Sequence, residues 1–408
     1  MPSFRDTPAT TRLAPHMTSS STAGVSSSVA DDTGATMPGA SASSSSSKGG
    51  SKFGARFLQS EQEGKYVAIE NSHEVFQYSW AVENPKAVLY ISHGNTEHAA
   101  RYRIMAKFLN KAGISVYGHD HLAHGKTAER EGCVLGDTML PWDQIPKDLQ
   151  TLCLQKVEEF SGGKNSTTAA KSARSSEDRV PVYLFGHSVG SVIAQKAIAL
   201  DDGKLGHAVD GLILSGPVFR PGSFVQTVFS MLKHTLGPMF GQHGVHPRME
   251  TFERLVAFNE YQSDFKPNKT NFDWISREEK EIEDYIGENC GHNLSVHYWA
   301  GFFSAVGSVH EDDFSSLNSK PVLVTLGSED PLARELIKPG GLKWRVLHQL
   351  MEEFQNCEEL KILLHCHARH EPHNDRGKES VFQMISDWIL NTAKLAGNNS
   401  SVAGRSKL

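Results

Sequence analysis

Between residues 65 and 394, short apolar runs alternate with stretches whose apolar side chains recur at helical spacing, and this alternation limits the architectures open to the chain. Residues 66–69 and 75–78 flank Asn71-Ser72 and read as an antiparallel pair. Residues 87–91 are a continuous apolar run suited to a strand buried on both faces. Ala99, Tyr102, Met105, Ala106 and Leu109 then share one helical face, and Gly113 ends that helix. Strands at 114–117, 180–185, 211–214, 321–326 and 360–364 follow. They are separated by helices carrying Ile145, Leu149, Leu152 and Val157, then Val192, Ile193, Ala197 and Leu200. A closing helix presents Val381, Phe382, Ile385, Trp388 and Ile389 on one side. Strands separated by helices predict an α/β fold, a mostly parallel sheet covered by helices on both faces. Strand order is not readable from the pattern.

The chemistry gathers at strand ends. Gly186-His187-Ser188-Val189-Gly190 follows an apolar strand and opens a helix, the setting a nucleophile elbow requires. Ser188 must occupy a tight turn in strained backbone geometry, where flanking side chains at 186 and 190 would strike neighbouring elements. The same turn aims the Val189 N–H, at a helix N-terminus, toward developing negative charge. A serine nucleophile needs a base, and the base an orienting carboxylate, in the chain order Ser, acid, His. Gly327-Ser328-Glu329-Asp330-Pro331 follows a strand, with Asp330 the first choice for the acid and Glu329 the second. His365, His367, His370 and His373 crowd the last strand-to-helix loop. His370 lies mid-loop, but position by itself does not decide among them. His93-Gly94-Asn95 ends an early strand and directs the Asn95 N–H toward the elbow, completing a two-donor oxyanion hole with Val189. The alternative is an ordinary turn with Asn95 or Thr96 as N-cap.

Other chemistries find little support. His119-Asp120-His121 and His124 are ligand types, yet they lack H-E-x-x-H spacing and a nearby thiolate, so no metal is expected. No phosphate-cradling glycine loop follows a strand, so no nucleotide cofactor is expected either. The net charge of −6 argues against binding nucleic acid. Five widely spaced cysteines, without a C-x-x-C pair, disfavour a disulfide framework and suggest a reducing, intracellular setting. No run of about 18 apolar residues is present.

Residues 1–64 are rich in Ser, Thr, Gly and Ala, with too few large apolar side chains to offset ordering entropy, and are expected to be disordered. They contain no apolar run of signal-peptide type. Residues 161–178 read as a low-complexity surface insertion.

Five blocks in order carry a family resemblance: Ser92-His93-Gly94-Asn95-Thr96-Glu97-His98 through Tyr102; Gly118-His119-Asp120-His121-Leu122-Ala123-His124-Gly125; residues 186–190; Gly327-Ser328-Glu329-Asp330; and Arg369-His370-Glu371. Together they resemble the α/β-hydrolase superfamily, within it the monoacylglycerol lipase and lysophospholipase group of serine aminopeptidase S33-type hydrolases. The resemblance covers roughly residues 65–394 and implies an α/β-hydrolase fold. It also implies Ser188 as nucleophile, Asp330 as acid, His370 as base, and Asn95 and Val189 as oxyanion donors. The group usually has a small residue and a glycine where Asn95 and Thr96 stand, and Gly-Gly where this chain has Gly190-Ser191. That difference puts the pocket shape near the scissile carbonyl in question.

The implied activity is cofactor-free hydrolysis of a monoacyl lipid, with monoacylglycerol first and lysophospholipid second. A peptidase or acyltransferase could run on the same three residues. A silent binding scaffold would lack one of them. Residues 65–216 and 307–394 then form the core and 217–306 a helical cap. Phe224, Val228, Phe229 and Leu232 recur there at helical spacing, either as plain packing or as an acyl-chain wall whose outer face touches membrane. A flexible tail, residues 395–408, ends in Ser406-Lys407-Leu408. This reads as a peroxisomal import signal, so recognition by an import receptor and a peroxisomal or glycosomal location are expected, with the cytoplasm as the alternative.

Overall fold

The computed structural model describes residues 63–69, 73–130, 134–161, 179–218, 259–333 and 350–405, the last eleven of these as backbone only. All of them belong to the unit Ala55–Leu408. The strands are β1 (Gly64–Ile69), β2 (His73–Trp80), β3 (Ala87–Ser92), β4 (Ile114–His119), β5 (Val182–His187), β6 (Gly211–Ser215), β7 (Pro321–Gly327) and β8 (Glu359–His365). They form one sheet in the order β1-β2-β4-β3-β5-β6-β7-β8. β1 and β2 are antiparallel, β2 joins β4 antiparallel, and every pairing from β4 through β8 is parallel.

Alternation along each central strand divides the core into two layers, as the two-residue repeat of a strand requires. Val88, Tyr90, Val182, Leu184, Leu212, Leu214, Val322 and Val324 join one cluster. It is capped by α3 (Gln144–Phe160), α4 (Val189–Ala208) and Val296–Ser308. Leu89, Ile91, Tyr183, Phe185, Ile213 and Leu323 face the other way, against α1 (Arg103–Lys111) and the closing helix Lys378–Arg405. Tyr90, Tyr183 and Phe185 are fully buried. Truncating a buried aromatic such as Phe185 to Ala costs about 3–5 kcal/mol.

Two element boundaries differ from the sequence pattern. The strand expected at 180–185 begins at Val182, because Pro181 has no N–H to give the ladder. It therefore runs through Gly186 and His187 and delivers Ser188 at the strand end with no intervening loop. The closing helix runs through Arg405, into the stretch expected to be a flexible tail. Once nucleated on a packed face, a helix propagates at little cost per residue. Within the expected cap, a single helical turn at Asn259–Gln262, α5 (Glu279–Gly287) and α6 (Val296–Ser308) are described. Tyr298, Trp299 and Phe302 of α6 join the same cluster as α3 and α4. The segments 1–62 and 162–178 lie outside the described residues. No helix among the described residues is long and apolar enough to cross a membrane.

Register decides where chemistry collects. Ser92 pairs with Gly186, His187 with Ser215, Ser215 with Thr325, and Gly327 with His365. The carboxyl ends of β3, β5, β6, β7 and β8 are thus level. Chain order reverses direction at β3, with β4 on one side and β5 on the other, and that crevice is where α/β sheets place their sites.

Candidate active site

Ser188 stands between β5 and α4 with φ 51° and ψ −121°, a conformation L-residues adopt only under constraint. Its N–H donates to Ser215 O at 3.0 Å, anchoring the turn to β6. Gly190 lets α4 pass against the end of β3, because a Cβ there would run into the Ser92 carbonyl oxygen. Ser188 Oγ lies 2.9 Å from His370 Nε2, and His370 Nδ1 lies 3.0 Å from Asp330 Oδ2. The Nδ1–H donates to the carboxylate, leaving Nε2 free to take the serine proton. His370 and Asp330 are buried, and Ser188 nearly so.

Sequence position left four loop histidines open, and the structure separates them. His365 ends β8 and meets Thr325 Oγ1, and His367 sits exposed beside Glu329. His373 is buried, stacked on Tyr102 at 4.9 Å and 4.6 Å from His187. Only His370 reaches Ser188. Glu329, the second choice for the acid, points to His367 rather than to the site.

The loop after β3 passes directly over the elbow: a Cβ on Gly94 would come within 3.3 Å of Ser188 Cβ. Gly94 N–H donates to Glu97 Oε1 at 2.5 Å, and Ser188 N–H is taken by Ser215. The next N–H in each segment belongs to Asn95 and to Val189, the first residue of α4. The glycine usual where Thr96 stands is explained by its φ of 55°, in the left-handed region. This chain holds a β-branched residue there by three contacts. Thr96 N–H donates to His124 Nε2 (3.0 Å), Thr96 Oγ1 meets Tyr285 Oη (2.9 Å), and Thr96 O accepts from Gly291 N (2.8 Å). Ser191, where Gly is usual, donates from Oγ to Ser188 O (2.5 Å) and accepts from Val218 N (3.2 Å), so the departure braces the elbow.

An ionic network that the spacing alone did not flag links the two loops. Arg101 makes a two-pronged contact with Glu371, 2.7 Å each way, and reaches Glu97 at 2.6 Å. All three side chains are under 5 % exposed. The detectable signal was Glu97 and Arg101 one helical turn apart; the third member lies 270 residues on. Burial opposes ionisation of Glu371, but Arg101 holds it below the usual carboxylate range, while burial leaves Glu97 raised. Trp274, also missed, lies tilted with its ring 5.0 Å from that of His370, and its carbonyl accepts from His370 N. Burial pushes the His370 pKa down, and the Asp330 carboxylate, then Glu371 and Glu97, bring it above the ordinary value.

The histidines at 119–124 form a buried hydrogen-bonded run. His121 contacts Ser92 Oγ (3.0 Å) and His119 (3.3 Å), and His93 Nε2 accepts from His121 N (3.0 Å). Asp120 accepts from Ala99 N, Lys126 N and Tyr78 Oη. The cap residues Phe224, Val228, Phe229 and Leu232, and the terminal Ser406, Lys407 and Leu408, lie outside the described residues.

With this geometry in place, relatedness can be read. The serine aminopeptidase S33 family model matches residues 83–377. The chain belongs to that family. It is 30% identical over 334 residues to a monoglyceride lipase homolog of Monkeypox virus, covering 80% of this chain and 97% of the relative. It is likewise 30% identical over 320 residues to the monoglyceride lipase of Homo sapiens, covering 78% and 86%. A carboxyl esterase from Bacillus coagulans superposes with a TM-score of 0.62 at 22% identity, over 82% of this chain and 100% of that one, a likeness of fold. The protein has an α/β-hydrolase fold and is a serine hydrolase of lipase and esterase type. The sheet order, the elbow and the S33 match agree on this.

Proposed function

We propose that this serine hydrolase releases a fatty acid from monoacylglycerol. The observation that carries the chemistry is the continuous chain from Ser188 Oγ through His370 to Asp330, at 2.9 and 3.0 Å, on a strained elbow. In the proposed reaction Ser188 Oγ attacks the ester carbonyl carbon as its proton passes to His370 Nε2. The tetrahedral oxyanion rests on the N–H groups of Asn95 and Val189. The alcohol leaves with the proton from His370, and water, deprotonated by the same ring, frees the acid and regenerates Ser188. The acyl chain is assigned to the expected cap segment, in whose sequence Phe224, Val228, Phe229 and Leu232 recur at helical spacing.

A neutral head group is favoured by charge. Arg101, the cation of the network beside His370, is already matched by two carboxylates, so a lysophospholipid phosphate finds no unsatisfied charge in it. His373 is held neutral by burial, its pKa pulled down to about 3, and its two ring nitrogens have no hydrogen-bond partner. Buried among Tyr102, Phe185 and His187, it likewise offers a phosphate no charge. Monoglyceride lipases among the relatives support the same choice.

The test is turnover of a monoacylglycerol and a lysophospholipid sharing one acyl chain, alongside fluorophosphonate labelling. Wild type is expected to favour monoacylglycerol more than about tenfold in kcat/KM, about 1.4 kcal/mol in the transition state. Ser188→Ala is expected to lose labelling and turnover. Preference for the lysophospholipid would overturn the substrate choice, and labelling of Ser188→Ala the nucleophile.

A further inference from the structure

Away from Ser188, three side chains of metal-ligating chemistry meet where the cap rests on the core. His98 ends the loop that follows β3, and Glu288 and Cys290 follow α5. One ligand atom from each lies within 4.8 Å of the others, and His98 Nε2 is 3.3 Å from Glu288 Oε2. Cys290 is 7 % exposed, and the side chains of His98 and Glu288 are 16 % and 17 % exposed. His98 Nδ1 is buried without a hydrogen-bond partner. The Cys290 thiol and the His98 imidazole interact with each other, and both converge with the Glu288 carboxylate.

We propose that His98, Glu288 and Cys290 form a binding site for Zn²⁺ that fastens the cap to the oxyanion-hole loop. Imidazole, carboxylate and thiolate are the ligands zinc takes, and tetrahedral bonds of about 2.0–2.3 Å put ligand atoms roughly 3.3–3.8 Å apart. The observed spacing reaches that by side-chain rotation. Three protein ligands leave a fourth position for water. On binding, the Cys290 thiol gives its proton to solvent and its sulfur lone pair to the metal. One backbone and one side-chain hydrogen bond already bring these segments together: Gly291 N–H donates to Thr96 O at 2.8 Å, and Tyr285 Oη meets Thr96 Oγ1 at 2.9 Å. A metal here adds a third tie, two residues from Thr96. The site differs from the run His119, His121 and His124, whose ring nitrogens meet one another, the hydroxyls of Tyr90 and Ser92, and backbone groups of Thr96 and Leu122. His98 lies 190 residues before Glu288 in sequence, so no spacing motif announces the site.

The test uses the full chain, stripped of metal by a chelator and titrated with Co²⁺ and then Zn²⁺. Co²⁺ is expected to bind one per chain with a thiolate charge-transfer band, displaced by Zn²⁺ and absent in Cys290→Ser. Zinc at about 100 times its Kd is expected to raise Tm by about 5 °C in wild type. Glu288→Gln is expected to retain the band but weaken affinity by about tenfold or more, and fluorophosphonate labelling of both variants shows that they are folded. Absence of the band in wild type overturns the proposal. So does its persistence in Cys290→Ser, which would assign the metal to another cysteine.

Discussion

His370 lies under opposing influences, and their balance sets how the enzyme should respond to pH. Burial disfavours the imidazolium, while Asp330 at 3.0 Å, with Glu371 and Glu97 further off, favours it, and the carboxylates prevail. The ring must be neutral to accept the Ser188 proton. Activity therefore falls as pH drops through a pKa raised above the ordinary 6.5. A profile of kcat/KM on a soluble ester should place the acidic midpoint above 6.5, and Glu371→Gln should move it down. A wild-type midpoint below 6.5 would contradict this balance. Asp330→Asn should lower kcat by about 10⁴ while leaving the fold intact, because the ring then loses its orienting acceptor. Of these residues, Ser188 and Asp330 were legible from strand-end motifs. His370 was one of four by loop position and was singled out by the family resemblance; the tertiary structure places its ring on Ser188 Oγ.

At the scale of elements, the loop after β3 and the loop after β8 are tied by Glu97, Arg101 and Glu371. Removing the central cation leaves two buried carboxylates without compensation. Arg101→Met should therefore cost about 3–5 kcal/mol in urea unfolding. Adding Glu97→Gln and Glu371→Gln to it should recover a substantial part, since neutral amides carry a smaller desolvation penalty. A loss below about 1 kcal/mol for Arg101→Met would mean that water already screens the network. The elements themselves were mostly visible in the sequence, because two-residue and helical periodicities are local. The pieces that escaped it are contacts across distance, such as Trp274 on His370 and Tyr285 on Thr96.

For the whole molecule, a set of buried neutral histidines sets the acid limit of stability. Burial drives the pKa values of His119, His124 and His373 down to about 3, and those of His93, His121 and His187 well below the ordinary value. The unfolded chain binds protons at these residues below about 6.5, while the native state refuses them until near 3 at His119, His124 and His373 and to well below the ordinary value at the other three. Their stabilising effect is whole above 6.5 and is lost as pH falls from there toward 3. Each contributes a slope of up to about 1.4 kcal/mol per pH unit. His98 and His370, shifted upward, run the opposite way and are fewer. Calorimetric Tm should fall steeply between pH 6.5 and 5; a flat Tm over that range would mean that these rings take up protons without unfolding.

The sequence by itself determined the α/β class, the element succession, the elbow at Ser188 and the candidate acid at Asp330. Each follows from local periodicity or from steric demands within a few residues. The tertiary structure decided the strand order, the contact of His370 with Ser188, the brace through Ser191 and the Glu97–Arg101–Glu371 tie. These depend on register between strands far apart in the chain. Level carboxyl ends of β3, β5, β6, β7 and β8 bring residues 94, 188, 330 and 370 to one crevice. That register is set by packing both faces of the sheet at once, a global condition that no window of residues encodes.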